Sequence, residues 1–226
     1  MVDNSRLTEL FTEVGSRHGY REVEATYTAF RDMKLKWCRS YNWIQFDVSD
    51  YLIDAPEDVI GSIADTIFRK IKGDSEAHYD ERVTAWLTSP EFVRSRQPTY
   101  VSRCRGLTLS PKGDVRDLEE SYGRIVDMGL MKRDPDVYLG WGPAGSGRHS
   151  GFSSVLMKVV NMSSVLDDGE IPELLLDYCL YAQLAHIMMG FDPFSGSRFE
   201  EYDELLRRFP ERDRAEALLR QHGIKL

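Results

Sequence analysis

Cysteine is scarce in this chain. Its 226 residues hold three, Cys38, Cys104 and Cys179, an odd number at wide spacing. That excludes a disulfide framework and a complete cysteine zinc site, and it points to a reducing compartment. No apolar run approaches the roughly 18 residues that a spanning helix needs, so no membrane partner is expected. The opening residues Met1-Val2-Asp3-Asn4-Ser5-Arg6 are polar and lack a secretory apolar segment, which makes a cytoplasmic protein the expectation. Basic residues are outnumbered, 29 against 37, for a net charge of −8 and a pI near 5.2. This balance excludes a generally basic nucleic-acid coat. Histidine is also rare: His18, His78, His149, His186 and His222 include no pair at the helical spacing of two zinc ligands. No low-complexity tract and no internal repeat is evident. What is present is 42% hydrophobic and 11% aromatic residues, enough to bury a core without cross-links.

Hydrophobic periodicity sets the elements. Leu7, Leu10, Phe11 and Val14 share a face of a helix from Ser5 to about His18, ended by Gly19. A second helix is expected from Glu22, carrying Val23, Tyr27 and Phe30. Lys34 to Cys38 and Trp43 to Val48 then read as two strands, the second alternating Ile44, Phe46 and Val48 with Trp43, Gln45 and Asp47. A helix over 56–72 follows, with Asp54 as its expected cap and Pro56 in its first turn. Residues 73–135 are polar and punctuated by Pro90, Pro98, Pro111 and Pro135, and read as an inserted helical and loop subdomain. Val137 to Trp141 and Val155 to Met162 read as strands, Pro172 opens a long helix to Met189, and Gly190 stops it. Helical segments over 198–208 and 212–222 close the chain. The expected organisation is a core built from 1–72 and 136–226, with 73–135 inserted between the halves.

The helix from Leu174 to Met189 (LLLDYCLYAQLAHIMM) is apolar almost all round, the pattern of a helix buried on several sides. At about 100° per residue, positions 182 and 183 lie within about 40° and 60° of His186 and form one stripe with it. A zinc peptidase places two histidines and a glutamate on such a stripe. Here it reads Ala182, Gln183, His186. The flanking words are Ser163-Ser164-Val165-Leu166-Asp167-Asp168, then Ile171-Pro172-Glu173-Leu174-Leu175-Leu176-Asp177-Tyr178-Cys179-Leu180-Tyr181, and then Leu184-Ala185-His186. Together they resemble the zincin metallopeptidases of the SprT-like and minigluzincin kind.

Upstream, Lys34 to Trp37, Ile44 to Val48 and Asp54 to Val59 are similar to that family's opening strands and first long helix. Downstream, Arg207-Arg208-Phe209-Pro210 is similar to a charged segment that ends in Phe-Pro. The resemblance implies an α+β, zincin-like fold, with one small mixed sheet packed on helix 172–189 and helix 56–72 alongside. It places the first family histidine on Ala182, the catalytic glutamate on Gln183 and the second histidine on His186. The downstream ligand falls on Arg198, or on Ser195 with a small gap. Alanine has no donor atom, and a neutral amide cannot take a proton from zinc-bound water. Zinc is therefore not expected, and the fold is implied without its chemistry. The missing groups fit either a natural pseudoenzyme or an inactivated variant, and the lost downstream ligand favours the former.

The functional expectation is a non-catalytic protein whose remnant cleft, bordered by Ala182, Gln183, His186 and the 140–151 loop, binds a peptide or protein partner. One alternative is a hydrolase with a relocated metal site, His186 joining Asp192, Glu201 or Glu204. Another is a nucleic-acid module on the window 94–116. There Arg94, Arg96, Arg103, Arg105, Lys112 and Arg116 oppose Asp114, a local +5, with Tyr100 among them. The glycine-rich 140–151 stretch carries Arg148 and His149 and is suited to an anion. However, it lacks the Gly-Lys-Ser/Thr ending of a phosphate loop and leads into a strand, so a loop bordering the cleft is the expected role.

Overall fold

A computed structural model of the chain describes residues 4–144, 148–194 and 197–226. The protein is α+β, and its described residues form eight α-helices and two three-stranded mixed sheets. They group into two compact units, 4–92 with 192–194, and 93–191 with 197–226. Where one sheet was expected there are two, because the strands of 35–49 pair only with each other and with a strand upstream.

In the first unit, α1 (Ser5–Arg17) leads into β1 (Glu22–Thr28), β2 (Leu35–Arg39), β3 (Trp43–Ser49), a 3₁₀ turn over Asp50–Leu52, α2 (Glu57–Ile71) and α3 (Glu81–Leu87). The helix expected from Glu22 is instead strand β1. Val23, Ala25 and Tyr27 also recur at period two, and parallel pairing with β3, Ala25 opposite Phe46, decides between the periods. The sheet order is β1-β3-β2, with β2 antiparallel to β3. Ile44, Phe46 and Val48 are fully buried on one face, where Phe46 meets Phe11 of α1 at 4.9 Å and Phe68 of α2 at 5.2 Å between ring centroids. Pro56, rather than Asp54, stands at the N-cap of α2.

The second unit holds most of α4 (Pro90–Arg103), then α5 (Leu118–Asp127), β4 (Tyr138–Gly142), β5 (Gly151–Ser154), β6 (Val159–Ser163), a 3₁₀ turn over Ser164–Leu166, and α6 (Glu173–Met189). Helices α7 (Phe199–Arg207) and α8 (Arg212–His222) complete it. The single strand expected over 155–162 is divided, since the chain turns at 155–158 with Lys158 at φ 48° and only β6 continues. Gln97 of α4 fixes this region by donating to the carbonyls of Asp136 and Met157, both at 2.8 Å. The sheet order is β4-β6-β5, with β4 parallel and β5 antiparallel to β6.

The two units therefore share one plan, a repeat that the sequence does not announce. Each runs helix, strand, hairpin, 3₁₀ turn, helix, with the third strand central and parallel to the first. The registers also coincide. Ser49 N–H donates to Lys34 O at 3.1 Å, and Ser163 N–H donates to Ser150 O at 2.8 Å. Each second helix begins after a proline N-cap, Pro56 or Pro172.

Helix α6 is the core of its unit. Leu175, Leu176, Leu180 and Leu184 are fully buried, and burial of each such side chain contributes about 1.5–3 kcal/mol. Tyr181 donates to Leu205 O at 2.9 Å, and Tyr178 donates to Glu216 at 3.3 Å, joining α6 to α7 and α8. Gly190, at φ 73°, ends the helix in a conformation that a side chain would oppose. The one carboxylate in this apolar wall is Asp177. It accepts Nε and Nη2 of Arg124 at 2.8 and 2.7 Å and the Ser121 hydroxyl at 2.5 Å, all from α5.

Removing one partner of such a pair leaves a buried charge uncompensated. Arg124→Met is expected to lower unfolding stability by about 3–5 kcal/mol. The double variant Arg124→Met/Asp177→Leu is expected to recover most of that loss. Urea denaturation of the three proteins checks both statements.

Candidate functional site

The stripe singled out on α6 lies inside the second unit. Ala182 has no exposed surface and Gln183 retains only 4%. Tyr181 and Leu184 on either side are fully buried as well, so neither stripe position opens onto solvent. His186, one turn on, is half-buried and stacks on Tyr202 of α7, with ring centroids 4.3 Å apart and planes 10° apart. Burial pushes the His186 imidazole below its ordinary value and favours the neutral ring. Beneath it, burial raises the Cys179 thiol to about 12 and the Tyr202 phenol to about 12, so both stay protonated and the thiol is no nucleophile.

The same positions can be counted in the first unit from its own proline cap. Ten, eleven and fourteen residues beyond Pro172 stand Ala182, Gln183 and His186, and the same steps from Pro56 reach Thr66, Ile67 and Lys70. Thr66 and Ile67 are buried, and Thr66 donates to His78 O at 3.3 Å. The Lys70 ammonium lies over the Tyr79 ring, 5.5 Å from its centroid. Both units therefore close the first two positions and set a basic side chain against a tyrosine at the third. The sequence offered no signal for this parallel until the strand registers aligned the halves.

A zinc ion does not fit the α6 stripe. Ala182 supplies no donor and Gln183 is sealed, which leaves His186 as the one imidazole of the stripe. Arg198, aligned with the family's downstream ligand, grips Glu201 at 2.8 and 2.6 Å and donates to Gly190 O at 3.2 Å. Ser195, the other candidate for that place, lies outside the described residues, as do 145–147 of the glycine-rich stretch. Of the acids considered with His186, Glu201 is bound to Arg198 and Glu204 pairs with Arg208 at 3.3 Å. Asp192 accepts from Phe194 N–H at 2.8 Å. Among the described residues no three His, Cys, Asp or Glu side chains are gathered in a group that holds a metal ion.

The basic window is dispersed. Arg94 pairs with Asp136 at 2.8 Å. Arg116 donates to Ile171 O at 2.5 Å and pairs with Glu173 at 3.4 Å. Arg96 and Arg103 have interactions of their own, and Arg105 is exposed in the turn after α4. Tyr100 is buried, so its ring cannot stack on a base. An anion nest does exist nearby, but the protein fills it. Asp167 accepts the backbone N–H groups of Asp114, Val115 and Arg116 at 2.6, 3.0 and 2.7 Å. Gly113 is required there, because a Cβ would fall on the Asp167 carboxylate. Arg148 lines a hollow of about 350 Å³ with Asp167, Asp168 and Glu170, an acidic rim unsuited to a phosphate. His149 forms a single parallel bridge with Lys225.

No helix among the described residues is long and apolar enough to cross a membrane. Comparison with family models, with curated proteins and with solved structures finds no match.

Two outcomes test the sealed helix. Ala182→His/Gln183→Glu places two polar groups in close packing. It is expected to cost about 3 kcal/mol or more, read from the urea midpoint. For His186 the sign follows from its lowered value. As pH falls through 6.5 the unfolded chain gains a proton that the folded ring resists, so stability declines below that pH. His186→Phe keeps an aromatic stack and is expected to flatten the stability slope on the acid side of 6.5, measured by denaturation at stepped pH.

Proposed function

We propose that this protein is a catalytically inactive, zincin-like protein of the SprT-like and minigluzincin kind that acts by binding a peptide or protein partner. One observation carries the reading. Where a metallopeptidase of this plan needs a zinc ligand and a general base, the chain has Ala182 and Gln183, both closed into the core. The path from the last strand through a 3₁₀ turn into a buried helix supports the zincin-like assignment. Thr66 and Ile67, at the same two positions in the first unit, are buried as well. The lesser fit is the nucleic-acid reading, since Arg94 and Arg116 are spent on ion pairs within the fold.

The expected result is no hydrolysis of a fluorogenic peptide library with zinc, cobalt or manganese added. Gln183→Glu is expected to bring no hydrolysis. Specific hydrolysis that His186→Ala abolishes would contradict the proposal and favour a relocated metal site.

A further inference from the structure

The sheet of the first unit has two edges, and the fold closes only one. Along β1, the Thr8 hydroxyl accepts Ala25 N–H at 3.1 Å and donates to Ala25 O at 2.9 Å. Thr12 reaches Val23 O at 3.4 Å, and Asn4 accepts Tyr27 N–H at 3.0 Å. Side chains at the start of the chain thus occupy the outward backbone groups of β1. Along β2 nothing comparable occurs. Ser49 N–H donates to Lys34 O, and Ser40 N–H donates to Trp43 O. Those bonds mark the even positions 34 to 40 as facing β3. By antiparallel alternation Leu35, Trp37 and Arg39 turn their N–H and C=O groups to the open side. Among the described residues no backbone partner meets them there. Trp37 is 46% exposed, and Lys36, Cys38 and Arg39 are exposed with it.

In the second unit a backbone contact lies just ahead of the corresponding edge strand. At the matching place before β5, Ser150 N–H donates to Lys225 O at 2.7 Å and Lys225 N–H donates to Arg148 O at 3.0 Å. The C-terminal segment meets the chain there in a single parallel bridge, His149 with Lys225, ahead of β5 itself. Along β2 no backbone bridge of this kind occurs among the described residues. The chemistry of the β2 edge differs from the rest of this acidic chain. Over 31–39, Arg31, Lys34, Lys36 and Arg39 oppose Asp32, a net of +3 where the whole chain is −8.

We propose that β2 binds an extended acidic segment of a partner protein, which adds to the sheet as a fourth strand through Leu35, Trp37 and Arg39. Acidic side chains on one face of the segment meet Lys34 and Lys36, and an apolar residue on the other lies beside Trp37. A second copy of this chain fits the edge less well, because β2–β2 pairing brings together two segments that each carry a net +3. This deepens the binding function proposed above and rests on it.

The test uses the full chain and a fluorescein-labelled probe of four Glu-Val repeats, with four Lys-Val repeats as the control. Expected are amide shifts of Leu35, Trp37 and Arg39 on titration, anisotropy-detected binding that weakens with salt, and no binding of the control. Trp37→Pro removes an outward N–H without breaking a bond to β3 and is expected to weaken binding about tenfold or more. Lys34→Glu/Lys36→Glu is expected to do the same, with the thermal midpoints of both variants near that of the parent. Absence of binding at millimolar probe, equal binding of the control, or shifts confined to other elements would overturn the proposal. Self-association that Trp37→Pro abolishes would assign the edge to a second copy and overturn it too. The hydrolysis assay is independent of β2, so failure here is distinguishable from failure of the non-catalytic reading.

Discussion

The Asp177–Arg124 pair is the constraint around which the second unit is arranged. A carboxylate in the middle of an otherwise apolar helix is tolerable only where a guanidinium and a hydroxyl meet it, and α5 supplies both. The pair fixes α5 against α6, and from Leu175 to Ala185 every residue of α6 is buried. Tyr178 and Tyr181 spend their hydroxyls on α8 and α7, and their rings lie 5.1 and 5.6 Å from that of Phe209. A helix locked in this way cannot also line an open cleft with positions 182 and 183. On the proposed reading, loss of chemistry and completeness of packing are two descriptions of one arrangement.

The repeated plan gives this reading a second, independent instance. In α2 there is no equivalent of Asp177, because the position five residues past the proline is Gly61. The matching stripe is nonetheless closed. The two halves bury these two positions by different packing. They part at the sheet edges. The C-terminal segment bridges His149 just ahead of β5, whereas β2 presents backbone, tryptophan and positive charge to solvent.

Much of this was legible in the residues. The period of α1, the alternation of β3, and the proline and glycine that bound α6 each carry one physical signal with no competitor. The failures occurred where two signals overlapped. Val23 and Tyr27 satisfy a helical period as well as a strand period, and only the partner β3 decides. Val155 to Met162 is apolar enough for a continuous strand, and the positive φ of Lys158 that breaks it has no mark in the sequence. The repeat was hidden because little more than Ser-x-x-Leu and Pro-Glu persists between the halves. Three residues separate those words in the first half and five in the second. Of the candidate site, the missing donors at 182 and 183 were plain. The Tyr202 stack on His186, the ion pairs of Arg94 and Arg198, and the filling of the amide nest by Asp167 depend on residues distant in sequence and had no local signature.

Hydrogen–deuterium exchange along α6, with and without added zinc, tests the central claim most directly. A helix sealed in the core exchanges its amides around 180–187 only through global unfolding, at one shared free energy that zinc leaves unchanged. Amides at 182–186 that exchange by local opening, or gain protection when zinc is added, would show an accessible, metal-responsive site and contradict the account.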